Sequence, residues 1–183
     1  MDEMEKQQFL ADLDKRGLEL GEPVCVARTI GASAADIWNL ISKPGQLPKY
    51  HAYCRENVVF KWPGVGSRDG VAYHSGIYFE RDFMCWREGT GFDLQIGTPP
   101  RKTAWISWNI RTLGEAQSEL SIMVTPILES HLLETTKKSY VQTYFGQSMV
   151  VYLNSLLQGL EQFVTTGQEV KQRQFGTHPI FAP

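Results

Sequence analysis

From Ala52 to Val124 the apolar residues fall in blocks at every second position, and from Val141 to Phe163 they recur at every third or fourth. The first period belongs to strands with one buried face, the second to a helix lying on a core. Val58 and Phe60 begin the alternation, and Trp62-Pro63-Gly64 interrupts it with a turn, because Pro fixes one φ and Gly accepts a positive one. Between Ser67 and Arg87, the positions Val71, Tyr73, Ser75, Ile77, Phe79, Arg81, Phe83 and Cys85 share one parity. That run is too long for one strand, and Gly76 marks a bend or the link between two. Phe92, Leu94 and Ile96 form the next strand, which Pro99 and Pro100 end. Ala104, Ile106, Trp108 and Ile110 form another, and Leu120, Ile122 and Val124 the last before Pro126. Turns this short leave no room for helical crossovers, so the strands pair as an antiparallel meander.

The helical run spans about Ser139 to Thr166, with Tyr144, Phe145, Met149, Tyr152, Leu156 and Leu160 on its apolar side. It extends roughly 40 Å at 1.5 Å per residue, enough to cross a sheet. Gly146 and Gly159 lie inside it, each costing about 1 kcal/mol against Ala. Close approach to the sheet or a bend near a pocket mouth is one reading, simple tolerance the other. Upstream, residues 1–16 read as an amphipathic helix with Met4, Phe9, Leu10 and Leu13 on one side and Gly17 as its stop. Pro23 opens a strand from Val24 to Ile30, and Ser33 is placed to cap a helix from Ala34 to Ile41. Pro44 and Pro48 bracket a second short helix. The chain thus divides into an N-terminal helical extension over 1–22, one domain over 23–167 and a tail over 168–183. Phe175, Ile180 and Phe181 follow a polar stretch in that tail. It either folds back onto the domain, contacts a second copy in a homodimer, or frays.

Composition narrows the classes. The chain has 183 residues, 42% hydrophobic and 21% charged, an ordinary balance for one globular domain. A net charge of −2 without any basic tract argues against nucleic acid as partner. No apolar stretch reaches bilayer length, so no integral membrane segment is expected. Cys25, Cys54 and Cys85 are odd in number and unpaired by spacing. They read as free thiols in a reducing, cytoplasmic setting.

The order strand, two short helices, strands, long helix coincides with a family resemblance. Residues 28–38, Arg-Thr-Ile-Gly-Ala-Ser-Ala-Ala-Asp-Ile-Trp, resemble the opening of the START/polyketide-cyclase (SRPBCC) superfamily. Residues 46–51, Gln-Leu-Pro-Lys-Tyr-His, resemble its second helix, and residues 65–68 and 76–81 its third and fourth strands. The resemblance covers about Val24 to Gly167, with Ser33 where many members carry Pro. It implies an α+β helix-grip fold, a curved antiparallel sheet of about six to seven strands gripping one long C-terminal helix. It also implies an apolar cavity. Lipid carriers, hormone receptors, ubiquinone-binding proteins and polyketide cyclases share this cavity, so a ligand class is implied more firmly than a reaction.

On these grounds the chain is expected to bind, carry or sense a small hydrophobic molecule such as a lipid, isoprenoid, quinone or polyketide. A cyclase, aromatase or dehydratase using the same cavity is the first alternative, and a protein-interaction module the second. Arg81 is the sharpest candidate, since a guanidinium on the parity of Phe79 and Phe83 needs a partner or a polar ligand group. The alternative places it at the surface, paired with Glu80 or Asp82. Tyr73 and Ser75 share its parity and offer hydroxyls; Phe79, Trp108 and Tyr144 are candidate walls. As an enzyme, the chain would use Arg81 and Tyr73 on a carbonyl with His74 as base. His51, His131 and His178 stand isolated, and no spacing suggests a metal or a cofactor.

Overall fold

Local chemistry sets the first elements as the sequence suggests. The computed structural model describes residues 3–183; the side chains of residues 3–6, Thr143 and Tyr144 lie outside the described residues, Met4 among them. The hydroxyl oxygen of Ser33 accepts the Asp36 N–H at 3.1 Å and starts α2, Ala34–Ile41, whose Ile37, Trp38 and Ile41 are buried. Pro48 lies in the first turn of α3, Leu47–Tyr50, where a missing N–H costs nothing. Before them come α1, Glu3–Lys15, then β1, Leu18–Leu20, and β2, Val24–Ile30.

Six strands follow: β3 Cys54–Lys61, β4 Arg68–Tyr73, β5 Tyr78–Arg87, β6 Gly91–Gly97, β7 Ala104–Gly114 and β8 Gln117–Glu129. They form the expected meander in the order β8-β7-β6-β5-β4-β3, every pair antiparallel. β2 pairs with one half of β8 and β1 with the other. The sheet therefore has eight strands, against the expected six to seven. The addition is β1, whose three residues are too few to display a two-residue period. Gly76, at φ 89°, lies in the turn between β4 and β5, so the long run is indeed two strands. A register shift between Phe83 and Cys85 then moves the inward parity from Cys85 to Trp86, which packs on Trp38, Phe83 and Phe92. Such a bulge is invisible to strict alternation.

The two faces of the sheet are covered differently. Phe9 of α1 meets Trp105 on the outer side of β7, with ring centroids 4.6 Å apart, and Leu13 is buried. The opposite face carries Ile106, Trp108, Ile122 and Leu94, which join one core with α2, α3 and the C-terminal helix. That helix is longer and less regular than its pattern implied. α4, Glu134–Ser139, leads into a π-helical stretch, Tyr140–Phe145, and then into α5, Gly146–Thr166. The glycines inside it are placed for sterics. A Cβ on Gly159 would lie 2.1 Å from the Tyr50 carbonyl oxygen, and one on Gly146 would lie 2.7 Å from that of Val141. Gly159 lets α5 touch α3, and Gly146 lets the backbone close the wide π turn to Val141.

Past Gly167 the chain runs back along the domain. Val170 donates its backbone N–H to Lys49 and Arg173 to Ala52. Phe181 and Ala182 end up buried within their own chain, so the reading of a tail folded onto the domain is the one observed.

Candidate ligand site

Two adjacent spaces lie between the sheet and α5. The inner one is small, about 30 Å³, and is lined by His51, Tyr73, Arg81, Trp108, Tyr152 and neighbouring aliphatic side chains. The outer one measures about 250 Å³ and is bounded by Phe79, Ala104, Phe145, Met149, Ile180 and Phe181 among others. Tyr73, Ile96, Ile106, Val124 and Tyr152 belong to both walls. The deep interior under the helix is therefore nearly filled. The usable room lies toward the π-helical stretch and the tail. An apolar cavity of roughly 150 Å³ suffices to take up benzene, and one of about 10–15 Å³ holds a water. The outer space thus suits a one- or two-ring molecule, and the inner hollow one or two waters.

The polar groups at the inner end form a chain. The His51 imidazole is 1% exposed. Its Nδ1 accepts the Tyr53 backbone N–H at 3.4 Å, and its Nε2 lies 2.7 Å from the Tyr152 Oη. Tyr152 Oη is in turn 2.9 Å from Tyr73 Oη. An Nδ1–H tautomer would set two N–H groups against each other, so the proton sits on Nε2 and is donated to Tyr152. Burial, with the Arg81 charge adding to it, pushes the His51 pKa down to about 3. Burial also pushes both phenols up, so they keep their protons well above neutral pH.

Arg81 is inward, as its parity indicated, yet it is not free for a ligand. Its Nε and Nη2 donate to the two Asp69 oxygens at 2.7 and 2.5 Å, and both side chains are buried. Asp69 stands directly across from Arg81 in the β4–β5 hairpin and also accepts from Asn57. Burial alone would lower the guanidinium pKa; the Asp69 carboxylate outweighs it and holds the pKa above its ordinary value. The surface alternative is also corrected. Glu80 pairs with Arg68, and Asp82 with Lys102 at 2.6 Å.

The remaining candidates separate. Phe79 lines the outer cavity and Trp108 the inner hollow. Ser75 and His74 sit in the β4–β5 turn and line neither space. Burial, then the charges of Arg55 and Arg173, lowers the His74 pKa. The alternation carried Ser75 inward only because it ignored the turn. The Tyr144 side chain lies outside the described residues. Sequence reasoning missed His51, Tyr152, Asp69 and the tail as parts of this site. Among the described residues no cluster of metal-ligating side chains occurs.

The tail forms one wall of the outer space, through Ile180 and Phe181. The Phe181 ring lies 4.5 Å from Tyr73, 4.8 Å from Tyr152 and 4.9 Å from His178, centroid to centroid. His178 is fully buried; its Nδ1 accepts the N–H groups of Ile180 and Phe181, and its Nε2–H faces the Ser148 oxygens of α5. Burial lowers the His178 pKa. His51 and His178 are thus both held neutral, with folded pKa values below the unfolded value near 6.5. Their stabilisation is complete above that value and is lost as pH falls from 6.5 toward the folded pKa. We expect unfolding free energy to fall by on the order of 1 kcal/mol per pH unit between pH 6.5 and 4 through His51. Urea titrations of the protein and of His51→Gln across that range should show the steeper decline in the former; parallel curves would contradict it.

No family model matches the chain, and no curated protein matches it either. Solved structures do. A START superfamily protein from Mycobacterium smegmatis superposes with a TM-score of 0.58 at 16% identity, covering 81% of this chain and all of that one. The chain has the START-like, helix-grip fold. Norcoclaurine synthase from Thalictrum flavum, solved with dopamine and hydroxybenzaldehyde, superposes with a TM-score of 0.62 at 12% identity over 85% of this chain and 92% of its own. A protein of the dynemicin biosynthetic locus gives a TM-score of 0.60 at 13% identity over 83% of this chain and 51% of its own. At these identities the likeness extends to the helix-grip fold. No described helix is long and apolar enough to cross a membrane.

Proposed function

We propose that the chain binds a small hydrophobic molecule of one or two rings, or of comparable bulk, in the outer cavity between β5–β8 and α5. The observation that carries this reading is the 250 Å³ space walled by aromatic and aliphatic side chains. A bicyclic hydrocarbon burying on the order of 250 Å² gains roughly 6 kcal/mol at about 25 cal/mol per Å², so tens of micromolar is the tightest binding expected once the cost of association is subtracted. The dopamine and hydroxybenzaldehyde found with norcoclaurine synthase are single-ring molecules, of a size this space accommodates. The hollow beneath the helix, at about 30 Å³, has no room for a long acyl chain, which favours compact ligands over lipids. The cyclase reading set Arg81 and Tyr73 on a carbonyl with His74 as base; Arg81 is engaged by Asp69 and His74 sits in the β4–β5 turn, while Tyr73 lines both spaces.

Fluorescence titration with the two-ring probe 1-methylnaphthalene tests the proposal. Saturable one-to-one binding is expected, and it should be abolished by Met149→Trp, which fills the cavity from α5. Unsaturable binding, or binding untouched by Met149→Trp, would contradict it.

A further inference from the structure

The buried polar chain holds more protons than it has hydrogen bonds. His51 Nε2–H, Tyr152 O–H and Tyr73 O–H are three donors at two hydrogen bonds, of 2.7 and 2.9 Å. The Nε2 proton takes the first bond, because Nδ1 is already an acceptor. One of the two phenolic protons takes the second. Whichever does, the other phenolic proton has no partner among the described residues. Both phenols wall the outer cavity, while His51 reaches only the inner hollow.

We infer that the ligand presents an uncharged oxygen acceptor, a ketone, aldehyde or ester carbonyl, to the one phenolic proton that the Tyr73–Tyr152–His51 chain leaves over. This rests on the outer cavity being a ligand site. A polar hydrogen in an apolar enclosure costs free energy until it meets an acceptor. The Ser148 hydroxyl pairs with His178 and that of Thr103 with the Ile96 carbonyl, and neither is hydrogen-bonded to Tyr73 or Tyr152. A carbonyl is satisfied there without bringing a hydrogen of its own that would need an acceptor. A carboxylate is not favoured, because the inner end carries no net positive charge. Arg81 is neutralised by Asp69 in a two-point pair, and His51 is neutral. In the free protein, water in the inner hollow can meet the same proton, and a carbonyl arriving from the outer cavity replaces it.

The test uses 1-tetralone, tetralin and 1-naphthoate as probes, titrated calorimetrically into the full chain and into Tyr73→Phe/Tyr152→Phe. Each single substitution would leave one phenolic donor in place, so the double variant is the informative one. It should weaken 1-tetralone about two- to tenfold, the worth of one neutral hydrogen bond, and leave tetralin within about twofold. 1-Naphthoate should bind the unaltered chain at least about tenfold more weakly than 1-tetralone. Tetralin binding together with equal responses of tetralin and tetralone would overturn the inference and leave the apolar site standing. If neither binds the unaltered chain, both fall. Tetralin also reports that the double variant is folded. Separately, nitrogen-15 NMR should find His51 protonated on Nε2; protonation on Nδ1 would supply the missing partner and sink the inference.

Discussion

Asp69→Ala is expected to lower the unfolding free energy by about 3–5 kcal/mol, the cost of leaving one member of a buried ion pair alone. The Arg81 side chain is 9% exposed and that of Asp69 is 1% exposed, and Arg81 donates two hydrogen bonds to Asp69 across adjacent strands. Without the carboxylate, the guanidinium keeps its charge and loses the group that offsets its desolvation. The Phe83 ring at 5.2 Å is too weak a substitute. Replacing both residues removes the charge along with its partner. The double variant Asp69→Leu/Arg81→Met should therefore be clearly more stable than Asp69→Ala. Urea denaturation at constant slope measures both. A loss under about 1 kcal/mol for Asp69→Ala would mean that water reaches Arg81 and that the inner hollow is not enclosed.

Phe181→Ala is expected to cost about 3 kcal/mol, near the lower end for a buried Phe truncated to Ala. The ring touches Tyr73, Tyr152 and His178 and also bounds the outer cavity. The cost stays near the lower end because a terminal segment can swing away instead of leaving a void. Amide exchange separates the two outcomes. Release should raise exchange at His178 and Ala182, which bond each other's backbone, before it raises exchange in β7. Unchanged stability and protection would show that the tail only rests on the surface.

The layout of the sheet was legible because each strand has one buried face, which imposes period two on the sequence. Hairpin order followed from the shortness of the turns. The eighth strand was hidden because Leu18–Leu20 is too short to carry a period. The π-helical stretch was hidden because its apolar spacing resembles that of the α-helix around it.

The candidate site was legible only in part. The inward placement of Tyr73, Phe79 and Arg81 followed from parity, and that of Asp69 could have followed too. It shares the parity of Val71 and Tyr73, one hairpin away from Arg81, whereas the partners weighed were sequence neighbours that must face outward. Tyr152 was visible as one of the helix's recurring apolar positions, but nothing local said that its hydroxyl would meet His51, 101 residues away. His178 and Phe181 are placed by the path of the tail, which depends on where α5 ends and on which carbonyls remain free.

Intermolecular NOEs between tetralin and methyl-labelled protein locate the bound molecule. Contacts to Ile96, Ile106, Val124, Met149 and Ile180, the aliphatic walls of the outer cavity, are expected. Contacts confined to exposed apolar side chains such as Val58, Val65 and Leu133 would contradict this placement.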